Sequence, residues 1–166
     1  MSDQRKWTGG CLCGSTRYEA LGPKLGSFVC YCRMCQRASG SAFAALFYVA
    51  DENVRITKGW PRSYESSPGV HRDFCGDCGS PLFFRRLNRH GQRAIIAGSL
   101  DHSDDFRPDA RLFLSDAVGW LDASESIPGF AEKPAGTTPP SHLQNSGGSE
   151  RETLWACTTI SRIWLA

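Results

Sequence analysis

The spacing of the cysteines constrains this chain more than any other feature of its sequence. Seven of its eight cysteines fall into three groups: Cys11-x-Cys13, Cys30-x-Cys32-x-x-Cys35 and Cys75-x-x-Cys78. Glycines wrap the first and third groups, in "GGCLCGS" and "FCGDCGS", and glycine permits the positive φ that a tight metal-binding turn uses. Two thiolates from one such turn can hold the same zinc ion, each about 2.3 Å from it. The pattern therefore predicts metal-binding loops around which the fold is arranged.

The size and the termini of the chain bear on where such thiols would function. With 166 residues, the chain is about as long as one ordinary domain and can bury a core without help from disulfides. Its N-terminal "MSDQRKWTGG" lacks a signal-peptide pattern, and no run approaches the roughly 20 apolar residues that span a bilayer. We therefore expect a protein of the reducing cytoplasm, without a membrane partner, whose cysteines stay free or bind metal. The net charge of +2 argues neither way, but the arginines are scattered and form no basic stripe, so we expect no nucleic-acid partner.

Seven thiols divide into four plus three when zinc is the metal. Four thiolates close a tetrahedral structural site, whereas three leave one coordination position for water or a substrate. We expect the outer pairs to form the closed site and the cysteine triplet, Cys30, Cys32 and Cys35, to form the open one. Spacing leaves open the pairing of Cys11 and Cys13 with two cysteines of the triplet. The triplet has two alternative interpretations. It could hold a second structural zinc completed by a histidine or aspartate, or it could be a redox-labile thiol cluster.

The first 130 residues have the pattern of a mostly β protein. Short β-branched and aromatic runs alternate there with Gly, Pro, Ser and Asp, and only Arg33–Ala38 has a helical pattern. Residues 131–166 begin with a stretch rich in Pro, Gly, Ser and Thr. We therefore predict one domain over residues 1–130 and a linker with a C-terminal extension over 131–166. Strands are predicted at Ser15–Glu19, Gly26–Val29, Ala42–Val49, Asn53–Thr57, His71–Phe74, Leu82–Arg85, Ala94–Gly98 and Arg111–Leu114.

Three segments carry a resemblance to a known family: "GGCLCGSTRY" at Gly9–Tyr18, "CYCRMCQRASGSAF" at Cys30–Phe43 and "FCGDCGSPLFF" at Phe74–Phe84. Their order, spacing and flanking glycines resemble the glutathione-dependent formaldehyde-activating enzyme family, also called the centromere-protein-V domain, from about residue 6 to residue 130. The resemblance implies the Mss4-like fold, a complex β fold of short antiparallel strands organised around a zinc held by four cysteines. It further implies that the triplet holds a second, more loosely bound zinc near glutathione, and that the structural zinc is held by Cys11, Cys13, Cys75 and Cys78.

The activity implied by this resemblance is that of a carbon–sulfur lyase. Such an enzyme adds glutathione, or a related thiol, to formaldehyde or another small aldehyde. A thiol that coordinates zinc loses its proton, so glutathione bound at the open position would attack the aldehyde carbon as a thiolate. Its two carboxylates would contact arginines beside the cysteine motifs, because arginine forks suit carboxylates: these are Arg33, Arg37 and Arg72. The chain departs from the family at Tyr31 and Arg111, where histidine is common.

Two other functions compete with this one. A non-catalytic zinc module of the same fold would bind a protein partner and would have no exchangeable ligand at the triplet. Methionine sulfoxide reduction on a related fold would need a reactive cysteine late in the domain, but after Cys78 the sequence has only Cys157, in the extension. The sequence leaves assembly into a homo-oligomer open.

Overall fold

Strands dominate the part of the chain that the structure describes, residues 5–121 of a computed structural model. One α-helix, α1 at Arg33–Ser39, and several short 3₁₀ turns accompany them. The mostly β class is thus confirmed, whereas the predicted extension at 131–166 lies outside the described residues. The ten strands are β1 Lys6–Gly10, β2 Arg17–Leu21, β3 Gly26–Cys30, β4 Ala44–Ala50, β5 Val54–Lys58, β6 Arg62–Ser67, β7 Val70–Phe74, β8 Pro81–Arg86, β9 Gln92–Ile96 and β10 Ala110–Leu112.

The strands form two sheets that are almost wholly antiparallel. A small sheet has the order β1-β2-β5, and a large one has the order β10-β3-β4-β9-β8-β7-β6. The exception is β10, which pairs in parallel with β3 and aligns Leu112 with Cys30. This pairing places β10 beside Cys30, the first cysteine of the triplet.

Strand β4 is buried on both faces, which explains its continuous apolar sequence "AALFYVA". Phe47 and Val49 point into a core shared with Trp7 and Tyr18 of the small sheet. Leu46 and Tyr48, the alternate residues, belong to a second core that also contains two cysteines of the triplet. One strand therefore joins the main core to the region around the triplet.

Two strands, β1 and β6, were missed by the sequence-based prediction. The sequence of β1, "KWTGG", ends in two glycines that resemble the start of a metal loop more than a strand. Strand β6, "RSYESS", lies at the edge of the large sheet and is largely exposed, so it lacks an apolar pattern. The only α-helix of residues 5–121 has seven residues, and nothing there could cross a membrane as a helix.

Candidate active site

Four cysteines converge where two hairpins from different sheets meet. Cys11 and Cys13 lie in the loop between β1 and β2, and Cys75 and Cys78 lie between β7 and β8. Their sulfur atoms all lie within 4.8 Å of one another. We call these residues the four-cysteine cluster. Spacing left open which cysteine pairs share a site. The structure brings together the two outer pairs, those of Cys11 and Cys75.

The geometry of the four-cysteine cluster fits a tetrahedral metal site. Four sulfurs bound at 2.3 Å to one zinc would lie about 3.8 Å apart. The Sγ atoms of Cys11 and Cys13 are 3.5 Å apart, and those of Cys13 and Cys75 are 3.8 Å apart. Each loop closes at a glycine with positive φ, 73° at Gly14 and 75° at Gly79, as the sequence predicted for metal-binding turns.

Hydrogen bonds to the sulfur atoms of the cluster stabilise the thiolate form of its cysteines. The backbone N–H of Thr16 donates to Cys11 Sγ at 3.2 Å, and the Ser80 hydroxyl lies 3.2 Å from Cys78 Sγ. Burial opposes ionisation of Cys78, but bonds with Ser80 and Cys13 outweigh it and lower the pKa of Cys78 to about 6. The Ser15 hydroxyl stabilises the thiolate of Cys13, yet burial and the neighbouring thiolates raise the pKa of Cys13 to about 11. Four sulfurs this close ionise together only if a cation offsets their charge.

The cysteine triplet gathers at the junction of β3 and α1. Cys30 ends β3, Cys32 caps the N-terminus of α1, and Cys35 lies in the first turn of that helix. Their sulfur atoms also lie within 4.8 Å of one another, and no histidine or carboxylate of residues 5–121 joins them. Within the described chain, the triplet offers a metal three thiolate ligands.

Burial and crowding affect the three thiols of the triplet differently. Burial, reinforced by the two neighbouring sulfurs, raises the pKa of Cys35 to about 12. Burial also raises the pKa of Cys30. Although burial opposes it, the backbone N–H of Cys35 lowers the pKa of Cys32 by donating to its Sγ at 3.4 Å. As in the other cluster, full ionisation requires a compensating cation.

All three cysteines of the triplet line a cleft of about 570 Å³. Its other described lining residues are apolar or aromatic side chains and four arginines, and no Asp or Glu of residues 5–121 lines it. We call it the arginine cleft, after Arg33, Arg72, Arg86 and Arg89. Its volume lies within the roughly 300–1,000 Å³ of small-molecule sites.

Aromatic rings hold three of these arginines in place. The guanidinium of Arg72 lies 5.0 Å from the ring centre of Phe84, its cross-strand partner on β8, and that of Arg86 lies 5.5 Å from the same ring. Arg89 stacks on Tyr48 at 5.0 Å. None of the three has a salt bridge to an acidic residue among residues 5–121. Among residues 5–121, the cleft therefore presents positive charge that no carboxylate offsets, supported by aromatic rings.

Comparison with known proteins agrees with this geometry. The family model for glutathione-dependent formaldehyde-activating enzymes matches residues 6–116. The chain belongs to this family. The match includes both cysteine groups, the whole of α1 and all ten strands.

Individual relatives of the formaldehyde-activating family are distant. An uncharacterized lyase of Schizosaccharomyces pombe is 28% identical over 117 residues, which is 67% of this chain and 80% of that protein. A candidate glutathione-dependent formaldehyde-activating enzyme of Phaeosphaeria nodorum is 27% identical over 114 residues, or 66% of this chain. This chain spans only 54% of the length of the Phaeosphaeria protein. A crystal structure of a Rhodobacter sphaeroides protein superposes with a TM-score of 0.51 at 19% identity, covering 64% of this chain and 99% of that one, and shows the shared fold alone.

The two departures from the common family pattern contact each other. The guanidinium of Arg111 lies 5.7 Å from the ring centre of Tyr31, which is only 7% exposed. The buried Gln36 amide then fixes the loop between Cys30 and Cys32, because it donates to the carbonyl oxygens of Tyr31 and Asp116 at 2.5 and 2.9 Å. These contacts anchor the triplet from the side opposite β4.

The structure places two of the three arginines that the sequence proposed for glutathione in the arginine cleft. Arg33 and Arg72 line it, whereas Arg37, one helical turn after Arg33, does not. Arg37 shares one other cleft with Arg33 and another with Arg72. Arg86 and Arg89 were missed because no motif marks them. A turn in which the Arg89 N–H donates to the Arg86 carbonyl at 3.0 Å brings both into the cleft.

Proposed function

We propose that this protein is a carbon–sulfur lyase that adds glutathione, or a related thiol bearing carboxylates, to formaldehyde or another small aldehyde. One observation carries the proposal: a three-thiol group lines a cleft that holds four arginines and no described carboxylate. Family membership and a relative named as a lyase support the reaction class. The seven described cysteines are free thiols, which accords with the cytoplasmic location we propose.

Zinc is the metal we propose for both cysteine groups, because thiolates in tetrahedral sets suit it. The four-cysteine cluster would hold a structural zinc, and the triplet would hold a second one. When bound at the triplet, zinc supplies one open coordination position and favours the thiolate form of an incoming thiol.

The residues of the cleft bind and orient the thiol. Arg86 and Arg89 offer paired N–H donors to its carboxylates, and their stacking on Phe84 and Tyr48 means that little side-chain conformational freedom is lost on binding. The apolar residues between them exclude water, which strengthens these contacts. The thiol group is thereby held near the triplet.

The reaction forms a carbon–sulfur and an oxygen–hydrogen bond, breaks the S–H bond and the carbonyl π bond, and needs no oxidant or reductant. The thiol sulfur attacks the carbonyl carbon, and the π electrons of the carbonyl move to its oxygen. The proton lost by the thiol ends on that oxygen, which becomes the hydroxyl of the adduct. Arg72 lines the cleft together with the triplet, and its positive charge stabilises the oxygen as negative charge develops there.

Exchange spectroscopy by NMR tests the proposal directly, because the uncatalysed reaction is reversible. Protein containing two zinc ions per chain is expected to accelerate the interconversion of glutathione and its hydroxymethyl adduct. A fully loaded protein that leaves this exchange at its uncatalysed rate would instead support a non-catalytic zinc module.

Removing the charge of Arg86 or Arg89 is expected to weaken thiol binding. Each of Arg86→Met and Arg89→Met should raise KM for glutathione about tenfold, the cost of one lost hydrogen bond to a charged group. KM for 2-mercaptoethanol, an uncharged thiol without carboxylates, should stay unchanged. Steady-state kinetics with both thiols measures the difference. Arg55→Met on the small sheet, where Arg55 is 72% exposed, is the control. An equal loss with both thiols would contradict a carboxylate-binding role.

Phe113 holds an aromatic ring at the cleft in a strained backbone conformation. It is the only non-glycine residue of 5–121 with positive φ, at 58°, and the residue is 58% exposed where it lines the arginine cleft. Such a conformation costs roughly 1–2 kcal/mol, so strain retained at this position indicates a role in binding.

Phe113→Gly is expected to stabilise the protein while weakening the binding of glutathione. Glycine relieves the strain, so the free energy of unfolding should rise by up to about 1 kcal/mol. KM for glutathione should rise several-fold because the ring is lost. Phe113→Ala removes the ring without relieving the strain and should raise KM equally, with no gain in stability. Urea denaturation and kinetics on both variants test this, and an unchanged KM would show that the ring does not contact the thiol.

A further inference from the structure

A second cleft, of about 600 Å³, lies against the same helix as the arginine cleft. Three residues line both clefts and form the wall between them: Met34, Cys35 and Arg72. The second cleft thus reaches the cysteine triplet from another direction. Ala38, one turn after Met34, lines the second cleft only.

The polar groups of the second cleft are mostly occupied by partners within the protein. The carboxylate of Asp73, 4% exposed, accepts two hydrogen bonds from Arg85, both at 2.8 Å. The Ser39 hydroxyl donates to the carbonyl oxygen of Cys35 at 2.8 Å. Ser66 bonds the Val70 carbonyl and accepts from Arg72 Nε. The surface that this cleft presents to a ligand is therefore mainly apolar.

Apolar side chains form much of the remaining wall. Phe83 and Ala44 are buried residues of the sheet, and Phe74 and Ile96 extend this surface. Arg37 and the 63% exposed Tyr64 also line the cleft. We call this the apolar cleft.

We propose that the apolar cleft binds the carbon body of the aldehyde, so that the preferred substrate is an apolar, aryl- or alkyl-substituted aldehyde rather than formaldehyde. This inference rests on the proposed lyase function. The thiol would occupy the arginine cleft, and the carbonyl would meet it at the wall that the two clefts share. The product is a hemithioacetal: a carbon–sulfur bond forms, and the thiol proton ends on the former carbonyl oxygen.

The size of the apolar cleft supports an aldehyde substrate larger than formaldehyde. Cavities of roughly 300–1,000 Å³ hold ligands of drug size, whereas formaldehyde has only one carbon and one oxygen as heavy atoms. Formaldehyde would leave the cleft's 600 Å³ almost unfilled. An aldehyde that carries a phenyl or branched alkyl group would bury its apolar surface there and gain affinity from that burial.

A comparison of propanal with 3-phenylpropanal tests the proposal, because the two differ only by a phenyl ring. With glutathione fixed and saturating, KM should be at least tenfold lower for 3-phenylpropanal. Ala38→Trp, at an exposed helix position, should fill the cleft and raise KM for 3-phenylpropanal to that for propanal. KM for glutathione, which would bind in the arginine cleft that Ala38 does not line, should stay within twofold of wild type. Ala110→Trp, at an exposed position that lines neither cleft, is the matched control.

Binding of 3-phenylpropanol, an unreactive analogue, gives a readout independent of turnover. Calorimetry should detect its binding to the zinc-loaded protein, with at least a tenfold loss of affinity in Ala38→Trp and none in Ala110→Trp. Equal KM values for the two aldehydes, or no bound alcohol while formaldehyde is still turned over, would overturn the apolar cleft alone. Failure to turn over any aldehyde would overturn the lyase function and the substrate assignment with it.

Discussion

Replacing Cys75 by alanine is expected to unfold the protein. Cys75 is 1% exposed and lies 3.8 Å from Cys13, sulfur to sulfur, at the point where hairpins of the two sheets meet. Structural zinc sites contribute about 10–16 kcal/mol in small zinc domains, whereas a whole domain is stable by only about 5–15 kcal/mol. Loss of one ligand should therefore remove most or all of the net stability.

Near-UV circular dichroism, urea denaturation and zinc analysis would measure this effect. Cys75→Ala should lose its near-UV signal and its cooperative transition, and a strong chelator should do the same to the wild-type protein. Ser80→Ala is the control, because it removes hydrogen bonds with Cys78 and with the Leu12 N–H but no metal ligand, and it should cost about 1–2 kcal/mol. A Cys75→Ala protein that keeps a native near-UV spectrum in chelator would show that the cluster is not what holds the sheets together.

Cysteine spacing predicted the local loops and favoured a site shared by the two outer pairs, but it did not exclude pairing with the triplet. The pairs at Cys11 and Cys75 follow from short turns closed by Gly14 and Gly79, and such turns are encoded within a few residues. Which pairs share one site depends on how the β1–β2 hairpin lies against the β7–β8 hairpin, and that is a property of the whole fold. Spacing alone therefore left the grouping open.

The arginines of the arginine cleft could be predicted only in part, because their positions also depend on the whole fold. Arg33 is adjacent to a cysteine of the triplet, so the sequence placed it near the site. Arg86 and Arg89 enter the cleft because β8 pairs with β7 and the following turn folds back, and no local motif records that pairing. Arg37 was expected beside Arg33. Four residues of helix shift it about 6 Å along the helix axis, and it does not line the arginine cleft.

Replacing Cys32 by alanine is expected to abolish activity while leaving the fold intact. Cys32 is partly exposed, lines the arginine cleft and lies outside the four-cysteine cluster. Its structural contribution is the helix cap, in which its Sγ accepts from the Cys35 N–H, and loss of such a cap costs about 1 kcal/mol. Activity should fall by more than about a hundredfold, because losing a metal ligand should exceed the 10–100-fold cost of losing a residue that only orients one.

Cys32→Ser separates the structural contribution of Cys32 from its chemical one. Serine restores an acceptor for the helix cap, so the free energy of unfolding should return to within a few tenths of a kcal/mol of wild type. A neutral hydroxyl is a poor substitute for a thiolate ligand, so activity should stay as low as in Cys32→Ala, and the zinc content should stay near one per chain instead of two. Kinetics, zinc analysis and urea denaturation on the two variants give these three quantities. A Cys32→Ser protein that binds one zinc yet turns over glutathione and aldehyde at the wild-type rate would place the chemistry elsewhere in the cleft, because catalysis would then proceed without the three-thiolate group.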